Sequence, residues 1–405
     1  MLDRQKVKTI AVLLFAVGLV LGGVFLLARK RRVGWVAILC GALLFCFGVA
    51  YKNRDLIKTA MARRANGDIS DTSFTPATNE LQSVPWPSFR GGDRQGHAVD
   101  DAFSLTSIDW TMPTWQTEVS GAGQSSPCVS EDEIYVTAAD LDGSQLQLIA
   151  YGLDDGQQRS VCAIPSGDLE SIHANNSYAT SSPATDGQKT YVLSCEQRDV
   201  FLTAVANGQQ QWSSQIGRYW TQHGLASSPC LYRGLVICAV EGLDAPFVVA
   251  VDSANGNTIW RKRLRPSMWS YSSPLVVRVA GKDQLLLSTA KRVLAMQPLS
   301  GETIWELPWD AERTACTMVA TDDDVVACTT DPAAEIVCIK GDGQGLLAAD
   351  QIKWRASRGA AYITSPVVVS GRLIVLTDDG ILSAISMETG ELLDRARLGG
   401  DFLLR

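Results

Sequence analysis

The side chains best suited to recognition in this chain sit just ahead of a recurring Ser-Pro dipeptide. His173, Asn176 and Tyr178 precede Ser181-Ser182-Pro183, Trp220 and His223 precede Ser227-Ser228-Pro229, and Trp269 and Tyr271 precede Ser272-Ser273-Pro274. Arg313 precedes a degenerate copy at Thr314-Ala315-Cys316-Thr317-Met318, while Arg358 and Tyr362 precede Ser365-Pro366. Aromatic rings and hydrogen-bonding heads gathered at one kind of position suit the gripping of a protein or peptide partner. The competing reading is that these loops pack on one another and plug a channel mouth.

Spacings that make or break bonds are scarce. There are three histidines, His97, His173 and His223, and no His-x-x-x-His, Gly-x-Ser-x-Gly or phosphate-loop pattern. Asp322-Asp323-Asp324 and Asp378-Asp379-Gly380 resemble calcium loops, but as short polar breaks between apolar runs they read as hairpin turns. Of ten cysteines, Cys40 and Cys46 lie in an apolar stretch and eight fall in or beside predicted strands, where small core residues are expected. No Cys-x-x-Cys occurs, so thiol redox and zinc chemistry have no spacing to rest on. Cross-hairpin disulfides, Cys230 with Cys238 or Cys328 with Cys316 or Cys338, stay open if the compartment is oxidising.

The elements that must position the rim residues repeat. Val249-Ala250-Val251-Asp252-Ser253-Ala254-Asn255-Gly256-Asn257-Thr258-Ile259-Trp260 returns as Leu294-Ala295-Met296-Gln297-Pro298-Leu299-Ser300-Gly301-Glu302-Thr303-Ile304-Trp305. Weaker copies run through Asn207-Gly208 to Trp212, from Ile149 to Gly156, and from Ser383 to Gly390. Each unit opens at a Ser-Pro, with prolines at 127, 183, 229, 274 and 366. Apolar runs follow, broken by turns such as Arg233-Gly234 and Ser370-Gly371. Four short strands per unit, at propeller spacing, predict an all-β fold: a β-propeller of four-stranded blades. Six repeats are visible, with an incomplete seventh, because Pro113-Thr114-Trp115-Gln116-Thr117-Glu118-Val119 looks like an isolated fourth strand. Either six blades close with that strand added outside, or a seventh blade lacks most of its strands. The incomplete ring is the expectation.

Residues 1–64 differ in character. Thr9–Ala28 and Val33–Tyr51 are uncharged, apolar and long enough to span a bilayer, separated only by Arg29-Lys30-Arg31-Arg32. They predict a two-helix transmembrane hairpin over 1–64, a flexible polar tether over 65–84 and the propeller over 85–405. The chain is therefore expected to be a multi-pass membrane protein with the membrane as a partner. Lys and Arg on the outer flanks place the propeller in the cytoplasm by charge count. The family resemblance given below favours the opposite side, the tetrabasic loop also resists translocation, and the extracytoplasmic side is the expectation. Residues 65–405 carry 24 Lys/Arg against 41 Asp/Glu. So acidic a ring argues against nucleic acid as a partner. Arg261-Lys262-Arg263-Leu264-Arg265 is its one basic run, read as a solvated loop.

Trp86-Pro87-Ser88-Phe89-Arg90-Gly91-Gly92 followed by Gly96, together with the Ala-x-x-x-x-x-Gly-x-x-x-Trp cassettes, resembles the pyrroloquinoline-quinone-like (PQQ-like) β-propeller repeat proteins over residues 86–405. That family includes quinoprotein alcohol dehydrogenases, the lipoprotein B scaffold of the outer-membrane β-barrel assembly machinery, and membrane-anchored planctomycete-type members. The dehydrogenases carry an adjacent Cys-Cys pair, calcium ligands and a catalytic Asp, and this chain has no Cys-Cys dipeptide. The resemblance therefore implies the fold, no cofactor, and the role of a membrane-tethered, non-catalytic scaffold binding a protein or peptide in cell-envelope assembly. The alternative is a PQQ-dependent oxidoreductase or another enzyme acting at the rim.

Overall fold

A blade is built here from a repeated solution to one packing problem: seating a tryptophan between two sheets. The computed structural model describes residues 68–399 apart from 72, 78–83, 99–111, 141–144, 167–172, 174–175, 220, 222, 243–244, 266–269, 310, 312, 330–333 and 362. Its sheets form six blades of antiparallel strands, spanning 128–164, 184–218, 230–263, 275–308, 319–356 and 367–397. In each, the strand after the Ser-Pro or its degenerate copy is innermost and the strand after the glycine turn is the fourth. The innermost and second strands of blades 3 and 6 meet at Arg233-Gly234 and Ser370-Gly371. Both residues of each turn have positive φ, 49° and 82° in one and 48° and 73° in the other. That geometry matches the twist of a two-residue hairpin.

The cassette has a direct structural meaning. Its alanine lies opposite its tryptophan across the third and fourth strands: Ala204 pairs with Trp212, Ala250 with Trp260 and Ala295 with Trp305. A small cross-strand partner leaves room for the indole, and the register slips by a bulge right after each alanine. The indole then reaches the next blade. Trp212 donates its Nε1–H to the Ser253 carbonyl at 3.2 Å, Trp260 to Pro298 at 3.0 Å and Trp354 to Met387 at 2.9 Å. Each ring lies flat on a turn glycine of that blade, Gly256, Gly301 and Gly390, where an added Cβ would come within 2.7 Å of the ring. Blade 4 uses a relay: Trp305 donates to Gln284 Oε1 at 3.0 Å, and the Gln284 amide donates to the Gly341 carbonyl of blade 5 at 2.8 Å.

The core consequently lies in the seams. Apolar clusters join blades 1 and 2, 2 and 3, 3 and 4, 4 and 5, and 5 and 6. Among the described residues no apolar cluster and no strand ladder joins blade 6 to blade 1. Trp115, ahead of blade 1, docks as the other tryptophans do, on Gly156 and with its Nε1–H on the Leu153 carbonyl at 2.9 Å.

Three expectations change. The two-helix transmembrane hairpin is not upheld: no helix among the described residues is long and apolar enough to cross a membrane, and residues 1–64 lie outside them. The fold class is all-β, and the multi-pass placement and the hairpin as membrane anchor lose their support. That expectation rested on apolar length, which measures how a segment partitions, not what it folds into. The polar stretch 65–84 is no free tether throughout, because Ile69–Ser70 adds a fifth strand to blade 3 beside Trp260 and Arg261. Phe74 packs on the seam of blades 3 and 4, and Ala77 exchanges backbone and side-chain hydrogen bonds with Arg233. The basic run at 261 is largely strand, Thr258–Arg263, with Arg261 buried over the Phe247 ring at 5.2 Å. Among the described residues no cysteine pair forms a disulfide, and Cys230 lies opposite Ile237 rather than Cys238.

Candidate functional site

The Ser-Pro motifs line the channel, and their serines stitch the blades together. The backbone N–H of Ser126 donates to Ser182 Oγ at 2.9 Å, that of Ser182 to Ser228 Oγ at 3.0 Å, and that of Ser228 to Ser273 Oγ at 2.9 Å. In blade 5, Thr317 takes the donor's place toward Ser365 Oγ at 2.9 Å. The proline that follows has no N–H to satisfy and holds the chain extended into the innermost strand.

One end of the channel is filled by the chain itself. Residues 84–97 run across it and touch every innermost strand. Trp86 forms a two-way bridge with Val129, and the Pro87 carbonyl accepts from Thr185 N–H at 2.7 Å. Arg94 donates to the carbonyls of Leu231 and Val276, and Gln95 Oε1 accepts from Ala320 N–H at 2.6 Å. Arg90 donates to Pro366 O, and His97 Nε2 lies 2.7 Å from Val368 O. His97 Nδ1 is 2.5 Å from Asp93, so both ring nitrogens are held and neither is presented to a substrate. Burial pulls the Arg90 guanidinium below its ordinary pKa, with Asp93 opposing that shift.

The opposite mouth carries the predicted rim. The His173 and His223 rings lie 4.9 Å apart between centroids, tilted by 42°, and His223 meets Tyr271 edge-on at 5.7 Å. Asn176 donates through its side-chain amide to the His223 carbonyl, and its own Oδ1 accepts from Thr180 at 2.5 Å. Burial, then His173, then Arg313 hold the His223 pKa below the ordinary imidazole value. These five residues, from four different connections, therefore form one cluster. Tyr178 is half-buried against the seam of blades 1 and 2 and lines a pocket with Tyr219, Thr221 and Arg198. Arg358 is exposed on the connection between blades 5 and 6. Trp220, Trp269 and Tyr362 lie outside the described residues.

Sequence reasoning missed Glu241. It follows the wholly apolar strand Leu235–Val240, and its two carboxylate oxygens are buried and make no hydrogen bond. Burial drives its pKa up to about 8, opposed by the nearby Ser270 hydroxyl. That hydroxyl is shared with Ser288 O at 3.0 Å and Thr314 Oγ1 at 2.7 Å. Tyr219, whose hydroxyl donates to Gly224 O at 2.5 Å, is pushed well up by burial and then by Tyr271, Cys195 and Glu241. An acidic residue directly after an all-apolar strand was the available signal. Glu241 lies on the connection between second and third strands, which opens on the same face as the connections ahead of Ser-Pro. The imidazoles and the Tyr271 phenol make a surface for hydrogen bonding and ring contact, and the Glu241 carboxyl is buried behind it. Among the described residues no group of His, Cys, Asp and Glu has the arrangement to hold a metal ion.

Three comparisons place the chain among known proteins. A family model described as "Outer membrane protein assembly factor BamB" matches residues 105–268, 218–329 and 289–394. No curated protein matches. Among solved structures, BamB from Moraxella catarrhalis is similar at 17% identity and a TM-score of 0.51, covering 71% of this chain and 78% of that one. A quinohemoprotein alcohol dehydrogenase from Comamonas testosteroni is similar at 11% identity and a TM-score of 0.46, covering 85% and 77%. With its repeat matched across three overlapping stretches that together span blades 1 to 6, this chain belongs to the BamB-type family of PQQ-like β-propellers.

Proposed function

We propose that this protein is a non-catalytic scaffold of cell-envelope assembly, holding a protein or peptide partner on the rim formed by His173, Asn176, His223, Tyr271 and Arg313. The observation that carries this reading is the convergence of those side chains from four connections onto one mouth of a ring whose other end is filled by residues 84–97. Aromatic and hydrogen-bonding groups with little net charge are what a recognition patch uses. Membership of a family described by outer-membrane assembly supports association with the envelope and the propeller on its extracytoplasmic side.

No cofactor is part of this reading. The channel interior is taken up by Ser88, Phe89 and Arg94, and the chain has no Cys-Cys pair against which a quinone could stack. The residues present do not fit PQQ. The competing oxidoreductase is tested by adding PQQ and calcium to purified protein: absorbance and tryptophan fluorescence stay unchanged, whereas a saturable spectral shift favours the enzyme.

The rim is tested in intact membranes. Crosslinking recovers a partner with the native chain, and a His173→Ala, His223→Ala, Tyr271→Ala triple variant loses it at an unchanged melting temperature. Recovery of the same partner by the folded triple variant overturns the rim.

A further inference from the structure

Among the described residues, the seam between blade 6 and blade 1 has the parts of a blade interface on one side and no complete blade on the other. Trp115 fills the socket that, at three other seams, receives the fourth strand of the preceding blade. In those blades the third strand of the same sheet pairs with the tryptophan strand, as Phe247–Asp252 pairs with Thr258–Arg263. Beside Trp115 there is no such strand among the described residues. Gln116–Val119 is exposed and, among the described residues, makes no backbone-to-backbone hydrogen bond, while Tyr151 OH lies 3.5 Å from the Glu118 carbonyl.

The serine stitch is open at the same place. Ser182, Ser228 and Ser273 are buried and each accepts an N–H from the blade before. Ser126 is half-buried, its Oγ accepts nothing, and Pro127 behind it is exposed while Pro183, Pro229 and Pro274 are buried. Facing the gap from blade 6 are the half-buried Ile374, Leu376 and Leu382, next to exposed Val369. An unpaired strand edge, an unfilled stitch and an apolar sheet face together describe a slot for β-structure.

We propose that an extended segment of a partner protein occupies this slot, pairing with Gln116–Val119 as the third strand of a seventh blade. Its residues would be apolar on both faces, because a strand at that position is buried on both sides, as Phe247–Val251 is. This surface is separate from the rim, so either proposal can fail while the other stands.

The probe is a fluorescent synthetic peptide carrying the sequence of residues 247–252, flanked by lysines, titrated against the full-length protein by anisotropy. Saturable binding at one peptide per chain is expected. Strand pairing uses alternate backbone N–H groups on one edge. N-methylation of one alternate set of peptide nitrogens should therefore weaken binding about tenfold or more, and methylation of the other set should not. Thr117→Pro or Glu118→Pro, checked for an unchanged melting temperature, should reproduce the loss from the protein side. Absent binding, or equal weakening in both methylation registers, overturns the proposal. So does concentration-dependent dimerisation that the peptide reverses, since the slot then takes a second copy of this chain.

Discussion

At the scale of single residues, the most informative group is a buried carboxyl that belongs to no motif of the repeat. Glu241 is sealed behind the rim, and burial raises its pKa to about 8. The sign of the consequence follows from proton counting. Between the ordinary glutamate range and about pH 8 the folded chain keeps a proton that the unfolded chain releases, so stability falls as pH rises through this window. Below the window the carboxyl is neutral in both states and nothing is lost. Above it the full penalty of an unpaired buried charge is present. Glu241→Gln, isosteric and uncharged, is therefore expected to match the native chain near pH 4.5 and to melt higher at pH 8.5 to 9. Thermal melts across that range check it, and a parallel pH profile in both proteins refutes the burial argument.

At the scale of elements, the Ser-Pro motif does more than punctuate the repeat. Ser228 Oγ satisfies the buried Ser182 N–H, so Ser228→Ala leaves that donor orphaned and is expected to cost about 1–3 kcal/mol. Ser126→Ala, at the open end of the stitch, removes no such partner and is expected to change stability by no more than a few tenths of a kcal/mol. Urea unfolding of the two variants gives the contrast, and equal losses would mean the stitch closes through Ser126. This element shows where sequence reading stops. Blades were legible because alternation, Gly turns and the Ala-to-Trp spacing are local properties of the chain. The bond from Ser182 to Ser228 was not legible, since it depends on where the next blade places its serine. The same holds for 69–70, whose polar composition resembles a tether but whose backbone finds the open edge of Thr258–Arg263. The rim was half legible: position ahead of Ser-Pro found the histidines and Tyr271, while Glu241 sits on a connection that the repeat did not single out.

At the scale of the whole ring, stability is expected to depend on the segment that crosses it. Blades contact only their neighbours through the seams, so without further ties each would respond to denaturant much as a unit in a linear array. Among the described residues no apolar seam joins blade 6 to blade 1, so the array lacks the contact that would make it circular. Residues 84–97 supply the missing long-range coupling, because Trp86, Pro87, Arg90, Arg94, Gln95 and His97 together reach all six innermost strands. Arg94 alone joins blades 3 and 4 through the carbonyls of Leu231 and Val276, and Arg90 holds blade 6. Hydrogen bonds from a charged group contribute about 1.5–3 kcal/mol each, so an Arg90→Ala, Arg94→Ala double variant loses several kcal/mol. The larger effect is on cooperativity. Tryptophan fluorescence and far-ultraviolet circular dichroism trace one urea transition in the native chain. In the double variant the two signals separate and the apparent slope falls, because seams now yield one after another. Coincident transitions at an unchanged slope would show that the seams alone carry the coupling, and that the segment across the channel is a plug and not a hub.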